Sequence, residues 1–257
     1  MKKIFLTFAA ATFVCAATVS AQGQAKEYPT PPRMVPEMTE FWTPQPEIVT
    51  PADMDRLVPP PSDAIVLFGG NNLDEWQSGN GSAARWTVDG GAFTVAPRTG
   101  DIRTKREFGD FQLHIEFRSP SEVKGASQGR GNGGIFMQGK YELQVLDSYD
   151  NETYINGQAG SIYKQSPPLV NPAQKPGKWN VYEVIYTAPR FKEDGSVQSY
   201  GRITVLFNGV LIQNNTIILG TTEYTGLPRT IAHGKGPIVL QDHGDLVSYR
   251  NIWIREL

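Results

Sequence analysis

The feature that most constrains this chain is a strict two-residue alternation of apolar and polar side chains in short runs. In the run Phe111–Arg118, Phe111, Leu113, Ile115 and Phe117 fall on one side, and Gln112, His114, Glu116 and Arg118 on the other. Tyr141, Leu143 and Val145 likewise oppose Glu142 and Gln144. Successive side chains of an extended strand point to opposite faces, so this period demands strands with one face in a core. From Ser62 onward similar runs recur (AIVLF, RWTV, AFTVA, GGIFMQ, VYEVIYTA, RITVLFNGVLIQ, PIVLQ, YRNIWIREL) between glycine, asparagine and aspartate punctuation. No helical apolar period persists beyond two turns. The pattern predicts an all-β jelly-roll sandwich of two antiparallel sheets. Phe68–Leu73 reads as a turn feeding an early strand, and the first strand and the last, Tyr249–Leu257, are expected to lie side by side.

Ahead of this region the chain changes character twice. Met1-Lys2-Lys3, an apolar run from Ile4 to Val19 and the small residues Val19-Ser20-Ala21 read as an export signal over residues 1–21. The apolar run is shorter than the ~20 residues that cross a bilayer, which argues against an uncleaved anchor. The only cysteine, Cys15, lies inside the run behind Phe13-Val14, which argues against a lipoprotein. Cleavage leaves no thiol, so an exported, periplasmic or extracellular product would rely on its core alone. Residues 22–61 are proline-rich and read as an extended arm, with one short helical turn near Asp53–Leu57 as a possibility. Its Phe41-Trp42 pair suggests packing on the main domain, residues 62–257; a solvated linker is the alternative.

Removing Lys2 and Lys3 leaves 22 basic against 26 acidic side chains, a net charge of about −4. No polybasic run exists, so nucleic acid and anionic membrane surfaces are poor partners, and neutral ligands are favoured.

The polar strand faces are where chemistry is expected. His114, Glu116 and Arg118 would stand about 7 Å apart along one strand. Glu142 and Gln144 add a carboxyl and an amide, and Leu240-Gln241-Asp242-His243-Gly244 adds Gln241 and His243 on one side and Asp242 on the other. A solvated sheet face is normally Lys, Glu, Thr and Ser, whereas two of the three histidines gather here. His114, Glu116, Glu142 and His243 are an alternative ligand set for a divalent metal such as Zn²⁺ or Mn²⁺. Asp147–Glu152 is oxygen-rich and reads as a polar turn more readily than a Ca²⁺ loop. His233 reads as a loop-packing residue, and of Trp76, Trp86, Trp179 and Trp253 at most one is expected to stack on a sugar.

Glu142-x-Gln144-x-x-Asp147 resembles the Glu-x-Asp-x-x-Glu strand of laminarinase-like glycoside hydrolases in spacing. Retaining hydrolysis needs two carboxyl groups about 5 Å apart. Gln144 cannot ionise, so ordinary glycosidase action is disfavoured.

The blocks LFGGNNLDEW, GDIRTKREFGDFQLHIEFRSP, GRGNGGIFMQGKYELQVLDSY, GQAGSIYKQSPPLVNPAQKPGKWNVYEVIY and GPIVLQDHGDLVSYRNIWIREL resemble the 3-keto-disaccharide hydrolase domain family over about Ser62–Leu257. The resemblance implies a concanavalin-like jelly roll, export from a Bacteroidetes-type bacterium and action on 3-keto-glycosides; no cofactor is expected apart from the alternative divalent metal. One departure is Asn132-Gly133-Gly134 where the family shows Asn-Ser-Gly, which puts a substrate contact from position 133 in question. A ketone at C3 acidifies the C2 hydrogen, so a base can remove it and the C1 oxygen can leave by elimination, with water adding back. For this chemistry His243 is the leading base, oriented by Asp242 or Glu142. Glu142 is the alternative base, or the acid for the leaving oxygen, and His114 and Glu116 complete the catalytic candidates. Lys105, Arg118, Gln144 and Gln241 are expected to polarise the ketone or hold hydroxyls, with Asn132 and Tyr163 as further substrate contacts. The rival reading is a non-catalytic glycan-binding module on the same fold.

Overall fold

The computed structural model describes residues 32–52 and 57–257, and Met34–Leu257 form one compact unit. The export signal and residues 53–56 of the expected helical turn at Asp53–Leu57 lie outside the described residues. Two antiparallel sheets carry the fold. The front sheet has five strands in the order β3 (Trp76–Ser78), β6 (Ile102–Thr104), β16 (Val239–Leu240), β8 (Gly133–Met137) and β9 (Tyr141–Val145). The back sheet has eight strands. Its main path is β15 (Val210–Ile218), β14 (Gly201–Phe207), β11 (Asn180–Thr187), β7 (Phe111–Arg118), β17 (Ser248–Glu256), β5 (Ala92–Thr94) and β4 (Thr87–Asp89), with β2 (Ile65–Phe68) also on β17. The first strand of the sandwich and the last therefore pair, as the sequence predicts. Two short ribbons, β1 (Glu47–Ile48) with β10 (Val170–Asn171) and β12 (Arg190–Phe191) with β13 (Val197–Ser199), lie outside the sheets.

The alternation explains the packing. Phe111, Leu113, Ile115 and Phe117 of β7 and Leu143 and Val145 of β9 meet in one core with Tyr182, Phe207 and Tyr249. The β14–β15 hairpin turns on Asn208-Gly209, both at positive φ (50° and 79°), the two-residue turn whose twist matches the strands. Among the described residues no helix is long and apolar enough to cross a membrane.

The arm does not hang free. Pro36–Thr39 form a 3₁₀ turn, and Asn156 holds the next residues from both sides: its Nδ2 donates to Thr39 O (2.9 Å) and its Oδ1 accepts from Phe41 N (3.0 Å). β1 then pairs in parallel with β10. Phe41 and Trp42 stay 49% and 48% exposed, with the Trp42 ring edge-on to Tyr154 at 6.0 Å, so hydrogen bonds to the arm's backbone dock it with only part of that aromatic pair packed.

Candidate functional site

Strand register sets the front sheet's outer face. Gln77, Arg103, Val239, Phe136 and Glu142 are successive partners across β3, β6, β16, β8 and β9, so they share one side. Gly134 and Gln144 pair two residues along, and Gln241 N donates to Gly134 O (3.0 Å), which brings Gln241 beside them. Above this face opens a cleft of 760 Å³ that holds Glu142, Gln144, Gln241, His243, Asn132 and Tyr163. Six of the sequence-predicted residues thus converge.

Glu142 is buried, and among the described residues its carboxyl makes no hydrogen bond. Its backbone is held by Thr222 Oγ1, which accepts from Glu142 N (3.0 Å), and by Tyr163 N, which donates to Glu142 O (3.1 Å). Burial, aided by the charge of Asp101, pushes the carboxyl up to about 8, so it is protonated near neutrality. It lies over Gly134, where a Cβ would come within 2.6 Å of Oε1; glycine is required there to make room for the acid. Gln144 Nε2 donates to Gln128 Oε1 (3.0 Å) and Gly157 O (3.2 Å), while the buried Oε1 atoms of Gln144 and Gln241 have no partner. Unpaired buried acceptors are costly, and at a cleft they mark places for ligand hydroxyls. His243 is exposed at the rim, with no hydrogen bond from the described protein. Tyr163 shares a 2.6 Å hydroxyl contact with Tyr154 and is pushed up to about 12 by burial, so both phenols stay protonated.

Three residues of the expected site lie elsewhere. His114, Glu116 and Arg118 project from β7 in the back sheet, away from the core that the front sheet covers on its other side. The period-two reading of each strand is right, but two strands with the same alternation belong to different sheets, and packing their apolar faces together points the polar faces apart. His114 Nδ1 meets Glu183 Oε1 (2.5 Å) and its Nε2 meets Glu116 Oε1 (3.3 Å). Glu116 also accepts from Arg250 Nε (2.6 Å) and Asn251 Nδ2 (2.8 Å). Arg118 and Arg250 both stack on Trp179, and the rings of His114 and Trp253 stack 5.0 Å apart. The proposed metal set is split by the same geometry; among the described residues no three His, Cys, Asp or Glu side chains are grouped to hold a metal ion.

Two smaller corrections follow. Lys105 is exposed beyond β6 and does not line the cleft. Asp242 spends its carboxylate on Gly100 N (2.9 Å) and Gly244 N (3.1 Å), so it shapes the loop and does not orient His243. Asp147 leaves the pocket strand to pair with Arg130 (2.6 Å), which breaks the laminarinase-like pattern a second time. His233 packs in its loop as expected, against Tyr141 and Phe191. Sequence reasoning missed Phe136, legible in the alternation of GGIFMQ, and Gln128, Tyr154, Thr222 and Tyr224, which sit in loops without period. It also missed Glu40, an arm residue that enters the cleft wall and pairs with the buried Lys164 (3.5 Å).

Residues 63–255 match the model of the 3-keto-alpha-glucoside-1,2-lyase-like domain. A 3-keto-disaccharide hydrolase of Bacteroides thetaiotaomicron is 25% identical over 259 residues, spanning 80% of this chain and 83% of that protein. A solved candidate glycosyl hydrolase from Parabacteroides distasonis is 57% identical with a TM-score of 0.77, covering 86% of this chain and 96% of its own. A second from the same organism shares the fold at 19% identity and a TM-score of 0.53, over 76% and 94% of the two chains.

Proposed function

Because the chain belongs to the 3-keto-alpha-glucoside-1,2-lyase-like domain family and is thereby a glycoside-acting enzyme, we propose that its cleft cleaves 3-keto-glycosides by C2 deprotonation. The observation that carries this reading is a buried carboxyl and an exposed histidine in one cleft, neither with a side-chain hydrogen bond among the described residues, beside two amide oxygens that have no partner there. His243 takes the C2 proton, imidazole being the usual base near neutral pH. The electron pair moves into the C3 carbonyl as an enolate, then returns to form the C1–C2 double bond as the C1 oxygen departs. Glu142, holding its proton to about pH 8, gives that proton to the leaving oxygen. Water added at C1, with a proton returned to C2, completes a net hydrolysis. The Oε1 atoms of Gln144 and Gln241 accept sugar hydroxyls and fix the ring. Ordinary retaining hydrolysis finds no support, since the residue two places along from Glu142 is an amide.

The test compares a 3-keto-glucoside with its parent glucoside. The parent has no carbonyl to stabilise a C2 carbanion, so only the 3-keto compound should release its aglycone, and in deuterated water the product should gain deuterium at C2 beyond a no-enzyme control. Equal rates on both sugars would defeat the mechanism, and binding without turnover would favour a glycan-binding module. Export is part of the same reading: Lys2-Lys3, the apolar run and Val19-Ser20-Ala21 place the mature start near Gln22, which intact mass of the envelope protein checks.

A further inference from the structure

A second hollow of 320 Å³ adjoins the cleft. Two separate chain segments cross from one to the other within neighbouring residues. Gly129 and Asn132 line the cleft while Arg130 and Gly131 line the hollow, and His243 lines the cleft while Gly244 and Asp245 line the hollow. Asn132 N donates to Asp245 Oδ2 (2.8 Å) and ties the two segments into one ridge. Consecutive Cα atoms are about 3.8 Å apart, so the ridge is only one or two residues thick. Gly131 keeps it thin: it sits at φ +57°, and a Cβ there would come within 2.9 Å of Ser119 Cβ.

The two spaces differ in chemistry. The cleft contains buried acceptors without partners, whereas the hollow has none among its described residues. Its Arg130 gives one N–H from each nitrogen to Asp147 Oδ2 and to the carbonyls of Asp150 and Tyr149, and Lys124 pairs with Glu122 at the exposed edge. The apolar part of its lining is Pro97, Pro120, Val123 and Leu246, the last two 48% and 52% exposed. A second sugar placed here would bring hydroxyls that find few free partners, which is unfavourable. A ring of carbon would cover exposed apolar surface, which is favourable.

We infer that this hollow is the leaving-group subsite, and that it selects glycosides whose aglycone is an apolar or aromatic ring. The inference rests on the 3-keto-glycoside reading of the neighbouring cleft. Benzyl and methyl glucosides test it, because their alcohols have similar acidity and a difference between them reports binding. Two readouts are taken: kcat/KM on the 3-keto forms, and Kd for the unoxidised parents, which are not turned over. The wild-type protein is expected to favour benzyl over methyl about tenfold in both. Val123→Ser combined with Leu246→Ser, both on exposed positions, should bring the ratio towards one. No preference in the wild type, or a preference that survives the double substitution, overturns the inference. Failure to turn over either 3-keto compound, with the binding preference present and lost in the variant, defeats the catalytic reading alone and upholds the apolar-ring site.

Discussion

The outer faces of the two sheets begin from the same sequence signal and end in opposite states. On the back sheet, Glu183, His114, Glu116, Arg250 and Asn251 are tied together by short contacts, which leave only Arg250 Nη2 and Trp253 Nε1 there buried without a partner among the described residues. On the front sheet, Glu142 is also buried but its carboxyl meets no partner among the described residues, and neither do the Oε1 atoms of Gln144 and Gln241. Buried charges that have partners leave little to offer a ligand; polar groups without them at a cleft wall remain free to meet one. The pKa directions follow the same division. Burial alone would lower His114, but its hydrogen bonds to Glu116 and Glu183 outweigh it and raise it to about 8 as a paired cation. Burial raises Glu142 to about 8 as an isolated neutral acid.

The comparison breaks most sharply in activity. His243→Ala and Glu142→Gln should each lose ~10²–10⁴ in kcat/KM on a 3-keto-glucoside, the range for one acid or base group. Glu142→Gln should also become the more stable protein at higher pH. The folded state keeps a proton up to about 8 that the unfolded chain releases near 4.5, so wild-type stability falls as pH rises through that window. Melting temperatures of the two proteins should agree near pH 4 and diverge by pH 8 in favour of the glutamine variant. A glutamine variant that is less stable at pH 8 would mean that Glu142 has a partner and belongs with the back-sheet pattern.

The back-sheet cluster should respond the other way. His114→Gln leaves Glu116 with less compensation and is expected to cost on the order of 3–5 kcal/mol at pH 6, with kcat per folded molecule retained. Because the folded pKa is raised from 6.5 to about 8, the stabilisation from His114 is complete below 6.5 and is lost as pH rises through about 8. The gap between variant and wild type in denaturant titrations should therefore narrow above pH 8. A large loss of kcat with unchanged stability would return His114 to the chemistry.

The arm borrows from both patterns. Asn156 satisfies Thr39 O and Phe41 N, and this anchors Glu40 against Lys164 in the cleft wall. Asn156→Ala should cost roughly 1–3 kcal/mol, since it strands buried backbone groups. It should raise KM more than it lowers kcat, because the wall loosens while His243 and Glu142 keep their places. An unchanged melting temperature would reduce the arm to a linker.

Which parts were legible in the chain follows from how far each signal reaches. Alternation is local, and it correctly separates Leu113 from His114 and Leu143 from Glu142. Pairing of β7 with β11 and β17, and of β9 with β8, is a long-range property that the period of one strand does not encode. His114 and Glu142 were therefore assigned to one face although the sandwich sets them on opposite sides. Gln241 and His243 reach the cleft because Gln241 N bonds to Gly134 O, a contact more than a hundred residues apart in sequence that the alternation of neither strand encodes. The contributions of Glu40 and Tyr224 had no periodic trace, since loops and arms are placed by individual hydrogen bonds.

Position 133 offers the finest test. The family resemblance sets serine there, and its loss suggested a missing substrate contact. Gly133 pairs with Val145, on the core side of β8, and a Cβ would lie 3.2 Å from Tyr249 Oη and 3.8 Å from Val145 Cβ. The hydroxyl absent from this chain would therefore face Tyr249, whose own buried hydroxyl has no partner, and not the sugar. Gly133→Ser should supply that partner at the expense of a shift of a few tenths of an ångström. Net hydrogen bonds of this kind are worth ~1 kcal/mol, so stability should lie between unchanged and about 1 kcal/mol higher, with kcat/KM unaltered. A tenfold change in kcat/KM would show that position 133 does reach the cleft. A marked fall in melting temperature would show that the core at Tyr249 is too tightly packed to yield.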